Sequence, residues 1–337
     1  MKVLAAGDHF VRNNLIAEAL RHDLAGSPLE LAELTLPWPL EPFGKVAEVD
    51  EASDAEDALI EALDGVEVCV TQMAPFTERV LAAAPSLRMI AVCRGGPVNV
   101  NLRAAQARGV QVCSAPGRNA AATAEFTVGL MLAALRHIPQ AHHSLAVKRS
   151  WDATHFTYDR CGTELEDAPV GLIGYGAVGS RVARVLAAFG AEVEVYDPYV
   201  RGDVHGMRAT SLDALLSRSR VVTLHARLTP ETQGLIGARE LALLPRGSVL
   251  VNAARGGLLD TGALCDALDS GQLTAAALDT YEQEPPPAGS RLFTTPGLVL
   301  TPHLGGASRA VARKAARIAA AEVARHVRGE PLAHCLT

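Results

Sequence analysis

The chain is short of positive charge, aromatic residues, paired cysteines and long apolar runs, and each shortage closes off a class of function. Lys and Arg number 31 against 37 Asp and Glu, a formal net charge of -6. No basic excess therefore exists to neutralise nucleic-acid phosphates, and no nucleic-acid partner is expected. No apolar run reaches the roughly 18 residues of a membrane-spanning helix, so no membrane partner is expected either. The opening MKVLAAGDHF meets Asp8 too early to hold a signal-peptide core, so no secretory leader is expected. Cys69, Cys93, Cys113, Cys161, Cys265 and Cys335 are scattered, with no CxxC pair and no metal-ligand spacing. Neither a metal site nor a disulfide framework is expected, and a reducing cytoplasm is the expected location. Aromatics make up 4% of residues, which leaves Ala, Val and Leu to build the cores.

A length of 337 residues favours about two domains. Strand-like runs at Lys2–Ala6, Leu29–Leu34, Glu67–Thr71, Leu87–Cys93 and Val110–Cys113 alternate with helical patterns at Asn13–His22, Ala55–Leu63, Thr77–Ala84 and Leu102–Arg108. Such alternation predicts βαβ units and a largely parallel sheet; only Pro37, Pro39 and Pro42 interrupt it. A loop at Ala115–Asn119 precedes an apolar helix at about Thr123–His137. The polar segment His142–Asp167 has few regular signals, and a loop of that length is usually functional or interfacial. A second βα series runs from Val170 to Leu298–Thr301, and a helix at about Ser308–Arg328 follows. The expected organisation is two βαβ domains joined near Pro116 and again near His303.

Val170–Ile173 reads as a buried strand, Gly174-Tyr175-Gly176-Ala177-Val178-Gly179 as a turn, and Ser180–Ala188 as a helix. In a dinucleotide turn Gly174 permits the tight bend, Gly176 lets the backbone approach a pyrophosphate, and Gly179 lets helix and strand pack closely. Free N–H groups at the helix start then hold the phosphate charge. The next strand, Glu192–Tyr196, ends in Asp197. A carboxylate there accepts hydrogen bonds from ribose hydroxyls and repels a 2′-phosphate, so the expected cofactor is NAD, although Arg201 four residues on could soften that choice.

Three downstream segments each follow a strand-like run. They are VNAARG with Arg255, LDTYEQEP with Glu284, and TPHLGG with His303. Hydride transfer to a carbonyl needs the carbonyl polarised and its oxygen protonated. His is suited to that proton near neutral pH, a neighbouring Glu raises its pKa and holds its tautomer, and Arg offers a fork for a substrate carboxylate.

Together these segments, VNAARGGLLD, AALDTYEQEP, TPHLGG and VGLIGYGAVG, resemble the D-isomer-specific 2-hydroxyacid dehydrogenase family from about Leu87 to Gly306. The resemblance implies an NAD-dependent exchange of a small D-2-hydroxy acid and its 2-oxo acid. Arg255 would orient the acid, His303 would be the acid/base and Glu284 its partner. Gly174, Gly176, Ala177, Val178, Gly179, Asp197, His225, Ala253 and Asp279 would serve the cofactor, with Asp279 beside the nicotinamide. Gly95 and Gly96 would offer backbone N–H groups to the substrate carboxylate. It also implies an α/β fold of two Rossmann-like domains. A flavodoxin-like substrate domain, residues 1–115 completed by 304–337, would hold an inserted NAD domain, 116–303, with a deep cleft between them. A homodimer through the NAD domain would explain the segment His142–Asp167.

Two departures are visible. Val98 and Asn101 stand where acidic residues are usual, with Pro97 stiffening the turn, and Arg227 replaces a usual proline. The first puts the substrate in question, and Arg94 or another loop cation would favour an acid with a second anionic or hydroxylated end. Two alternatives share the motifs: an NAD(H)-dependent, non-enzymatic corepressor-like binding protein, and a formate- or phosphite-type dehydrogenase.

Overall fold

The computed structural model describes residues 1–41 and 43–337, so the break expected at Pro42 lies outside the described residues. The chain divides into two compact units, one of residues 1–118 and 308–337, the other of residues 119–307.

In unit 1 the strands are β1 (Lys2–Gly7), β2 (Glu30–Thr35), β5 (Val68–Thr71), β6 (Met89–Val92) and β7 (Gln111–Cys113), with a small antiparallel hairpin of β3 (Gly44–Val46) and β4 (Val49–Ala52). Helices α1 (Asn13–Asp23), α2 (Glu56–Ala62), α3 (Glu78–Ala83) and α4 (Leu102–Ala107) connect them. The main sheet is parallel in the order β2-β1-β5-β6-β7, the doubly wound pattern with its topological switch between β1 and β5. Alternation along each strand builds two cores, because successive side chains point to opposite faces. Leu4, Ala6, Cys69 and Ile90 pack with Leu59, Val80 and Ala105 on one face. Val3, Ala5, Val70 and Ala91 meet Ile16 and Leu20 on the other. Thr77 and Asn101 cap α3 and α4 through their side-chain oxygens, which fixes where those helices begin.

Unit 2 opens with α5 (Ala120–Leu135), then α6 (Ile138–His142), a π-helical turn at His143–Val147 and a 3-10 turn at Ala153–Phe156. The polar segment with few regular signals thus holds short helical turns. The preceding helix stops at Leu135 rather than running on to His137, which takes a left-handed φ of 51°. Then follow β8 (Pro169–Ile173), α7 (Gly179–Ala188), β9 (Glu192–Tyr196), β10 (Met207–Arg208), α8 (Leu212–Arg218), β11 (Val221–Leu224), α9 (Ala238–Leu243), β12 (Ser248–Asn252), α10 (Thr261–Asp269), β13 (Leu273–Leu278) and β14 (Leu298–Leu300). The seven strands pair in parallel in the order β10-β9-β8-β11-β12-β13-β14, with the switch at β8 and β11.

The final helix, α11 (Arg309–Arg328), belongs to unit 1. Ser308 caps its start and Gly329, at φ 66°, ends it. Ala312, Ala315, Ala316, Ala319 and Ala320 face the sheet, small side chains that let a helix lie close.

Candidate active site

The expected motif residues of unit 2 lie past the carboxyl ends of adjacent parallel strands, the edge where open α/β sheets bind ligands. The three glycines after β8 separate by what a side chain would meet. Gly174 has φ 94°, and a Cβ there would sit 2.5 Å from the Ala226 nitrogen; one on Gly179 would sit 2.1 Å from the Gly174 oxygen. A Cβ on Gly176 would meet nothing within 4 Å. The protein's own packing therefore requires the first and third glycines, whereas the room at the second is left to a ligand. No side chain caps α7 at Val178. Its Ser180 and Arg181 N–H groups already donate to the Gly176 and Val178 carbonyls, so an anionic oxygen would be taken by the N–H groups of the glycine turn and of Gly179. These features fit a pyrophosphate.

Asp197 accepts the Tyr199 N–H at 2.8 Å and, across the turn, the Tyr175 N–H at 2.7 Å. The carboxylate thereby braces the glycine turn, and each oxygen keeps a lone pair for a ribose hydroxyl. His225 follows β11, with Nε2 2.9 Å from the Thr223 hydroxyl. Burial pushes its pKa down to about 3, so this imidazole is neutral.

Beyond β12, Asn252 shapes the turn that carries Arg255. Its Oδ1 accepts the Ala254 N–H at 3.1 Å, and its Nδ2 donates to the Arg255 carbonyl at 2.9 Å. Arg255 is exposed and donates from Nη1 to the Ala254 carbonyl at 2.7 Å. Gly256 behind it touches the 281–282 backbone, where a Cβ would lie 1.9 Å from the Tyr281 carbonyl carbon.

His303 Nδ1 and Glu284 Oε2 are 2.6 Å apart. The Glu284 hydrogen bond raises the His303 pKa, with burial opposing it and the charges of Glu284 and Asp279 adding to it. Burial pushes Glu284 upward, but the His303 hydrogen bond and charge, the Tyr281 N–H and Arg255 outweigh it, and the net shift is downward. Both shifts favour the ionised pair, and the tie at Nδ1 leaves Nε2 as the ring atom for exchange.

The turn carrying His303 is strained, with His303 at φ 54°. Asp279, buried at the end of β13, holds it. Its Oδ1 accepts the Thr301 hydroxyl and the Leu304 N–H, and its Oδ2 accepts the Gly305 N–H, each at 2.7 Å. Its carboxylate thus braces the Thr301 hydroxyl and the 304–305 backbone around His303 while lining the same cavity as Arg255. Tyr281 adds a second hold, with its phenol on the Thr301 carbonyl at 2.9 Å and its N–H on Glu284 Oε1 at 3.0 Å.

His225, Ala253, Arg255, Asp279, His303 and Val178 share the wall of a cavity of about 340 Å³, which Asn119 and Thr123 also line. The sequence reading missed Asn119, Thr123, Asn252, Tyr281 and Thr301. Only Asn252 carried a signal, as a buried amide ending an otherwise apolar strand. Gly95 and Gly96 lie in unit 1, exposed after β6, with nothing within 4 Å of an added Cβ. Arg94, read as a free loop cation, is instead paired with the Glu51 carboxylate and donates to the Glu51 carbonyl at 3.1 Å.

A switch-point glycine turn, an acidic residue at the end of the second strand and an Arg/Glu/His set at the same sheet edge define a dinucleotide-dependent dehydrogenase scaffold. Residues 128–305 match the NAD binding domain of the D-isomer specific 2-hydroxyacid dehydrogenases, and the chain belongs to that family, with NAD as its cofactor. It is 42% identical over 256 residues to the D-3-phosphoglycerate dehydrogenase of Mycobacterium tuberculosis, covering 75% of this chain and 47% of the relative. It is 36% identical over 258 residues to the putative 2-hydroxyacid dehydrogenase YoaD of Bacillus subtilis, 75% of each chain. The crystal structure of the TT0316 protein from Thermus thermophilus matches all of both chains, with a TM-score of 0.82 and 29% identity. The chain spans about half the length of the phosphoglycerate dehydrogenases it matches. Among the described residues, no helix is long and apolar enough to cross a membrane.

Proposed function

We propose that the protein interconverts a small D-2-hydroxy acid and its 2-oxo acid in the cytoplasm, using Arg255, Glu284 and His303. The observation that carries this reading is the 2.6 Å His303–Glu284 pair, whose imidazole shares a cavity wall with Arg255. NAD, when bound, supplies the hydride chemistry. Arg255 pairs its guanidinium with the acid's carboxylate and fixes the carbonyl's orientation. His303 gives a proton from Nε2 to the carbonyl oxygen during reduction and takes it back during oxidation. Glu284 keeps Nδ1–H in place and stabilises the imidazolium. Asp197, Gly176 and the start of α7 take the ribose and pyrophosphate.

The test follows NADH consumption with glyoxylate, hydroxypyruvate, pyruvate and sugar-derived oxo acids. Turnover with one of them, lost in His303→Gln while NADH still binds, is expected. NADH binding without turnover on any member refutes the reading, and NAD reduction by formate or phosphite redirects it.

The same reading assigns a homodimer to unit 2. Trp151, Phe156 and Tyr158 are 78%, 90% and 93% exposed, a density of bare aromatic surface that marks an interaction site. Sedimentation at micromolar concentration should give a dimer, and a monomer overturns this assignment.

A further inference from the structure

We propose that Cys113 and Cys335 form a paired oxidation site that closes to a disulfide and joins the two chain segments of unit 1 covalently. Unit 1 is assembled from residues 1–118 and 308–337, and Cys113 ends the last strand of the first segment while Cys335 follows α11 in the second. The two residues face each other across an isolated antiparallel bridge.

The hydrogen bonds around that bridge fix its type. The Ser114 N–H donates to the His334 carbonyl at 3.2 Å, and the Leu336 N–H donates to the Val112 carbonyl at 2.8 Å. These bonds bracket the cysteines rather than linking them, so the pair is the non-hydrogen-bonded kind. Its Cα atoms are then about 4.5 Å apart with side chains on the same face. That spacing lies within the roughly 4.4–6.8 Å that a disulfide spans. Further contacts pin the second segment in this register. Glu322, 2% exposed, accepts the Ala333 N–H at 3.0 Å and the His334 N–H at 3.3 Å. The Thr337 hydroxyl accepts the Val112 N–H at 3.0 Å.

The two sulfurs are not equivalent. Cys113 is buried, and burial pushes its thiol up, with Cys335 and Glu322 adding to the effect. Cys335 is partly exposed, with its Sγ 3.3 Å from the Thr337 carbonyl. Cys335 is therefore the entry point. Its thiolate attacks a small-molecule disulfide such as oxidised glutathione, forms a mixed disulfide and releases one glutathione thiol. The Cys113 sulfur then displaces the second glutathione, its proton leaving with that thiol. Two protein thiols become one disulfide, and one glutathione disulfide becomes two thiols.

The test oxidises the full chain with oxidised glutathione in a Cys161→Ser background, which removes the exposed cysteine. The expected product has lost two hydrogens, carries no glutathione and yields a peptide linking Cys113 to Cys335. A chain nicked once between these residues then runs as a single denatured species without reductant and as two pieces with it. Cys335→Ser, which alters only the partly exposed partner, should abolish the linked species. Retention of glutathione on Cys335, or recovery of both thiols free after saturating oxidation, overturns the proposal.

Discussion

Asp8 offers the sharpest quantitative test of the fold, because its carboxyl is placed where ionisation is costly. It lies one residue past β1, 2% exposed, with Oδ1 accepting the Phe10 and Val11 N–H groups and Oδ2 accepting Gln72 Nε2 at 3.2 Å. Burial pushes its pKa from 3.8 up to about 6, against the pull of those N–H groups and Arg118. A folded-state pKa above the unfolded one means that the group contributes most below about pH 4. That contribution is lost as pH rises through 6 and stays lost above it. A rise of about two units corresponds to about 3 kcal/mol between the two limits. Asp8→Asn mimics the neutral acid, keeps an oxygen for both N–H groups, and turns an NH2 toward Gln72. The Gln72 Oε1 is buried without a partner, so a flipped amide restores the bond. The variant should be up to about 3 kcal/mol more stable than the parent at pH 8, with the gap closing near pH 4. Urea unfolding followed by Trp38 fluorescence measures this in unit 1, because the Trp38 ring packs edge-on against Phe10 at 6.1 Å. Trp151, the other tryptophan, lies in unit 2 and is replaced by Phe. A gap independent of pH, or a variant less stable at pH 8, refutes the reasoning.

Two further predictions concern unit 2. Glu284→Gln should lower the His303 pKa and move the alkaline limit of oxo-acid reduction to lower pH, with NADH affinity unchanged. An unmoved limb would mean that Glu284 does not set the His303 charge. Gly176→Ala and Gly179→Ala should behave oppositely. The first fills only ligand space, so NADH should bind about tenfold or more weakly at an unchanged melting temperature. The second meets backbone at 2.1 Å and should lower stability by roughly 1–3 kcal/mol. Equal melting temperatures for the two variants would contradict the packing argument, as would unchanged NADH affinity in Gly176→Ala.

The fold and the chemistry differ in how far apart in sequence their determinants lie. Parallel strands put their functional residues at strand ends, so Gly174, Asp197, Arg255, Glu284 and His303 each follow a recognisable strand-like run. What escaped the sequence reading depends on contacts between remote positions. Arg94 looked like a free cation because Glu51, 43 positions away, gave no sign of pairing with it. Tyr281 gave no signal of its own, because the Thr301 carbonyl that its phenol reaches lies 20 positions on. Cys113 and Cys335 read as scattered cysteines because their register is set by α11 folding back onto unit 1. The chain crosses between units at 118/119 and 307/308, a few residues beyond the boundaries expected at 115/116 and 303/304.

Whether Tyr281 only stabilises unit 2 or also positions the His303–Glu284 pair can be decided with one atom. Tyr281→Phe keeps the ring and the N–H that holds Glu284 Oε1, and removes only the phenol oxygen. Burial pushes that phenol's pKa up to about 12, so it remains a neutral donor across the working pH range. Thr301's carbonyl also accepts the His303 N–H at 3.0 Å, so removing the phenol leaves no orphaned acceptor. The stability cost should then sit near the low end of roughly 0.5–1.5 kcal/mol for one hydrogen bond. Asp279 alone would still hold the turn, but from the Thr301 hydroxyl and the 304–305 backbone, which flank His303 without gripping the carbonyl that fixes its N–H. We therefore expect kcat to fall several-fold while NADH affinity is kept. The alkaline limb should move to lower pH, in the same direction as in Glu284→Gln but by less, because the His303–Glu284 bond loosens without being lost. A lower melting temperature with a superimposable pH profile would assign Tyr281 to stability alone. The three 2.7 Å bonds of Asp279 would then suffice to keep His303 in its left-handed turn.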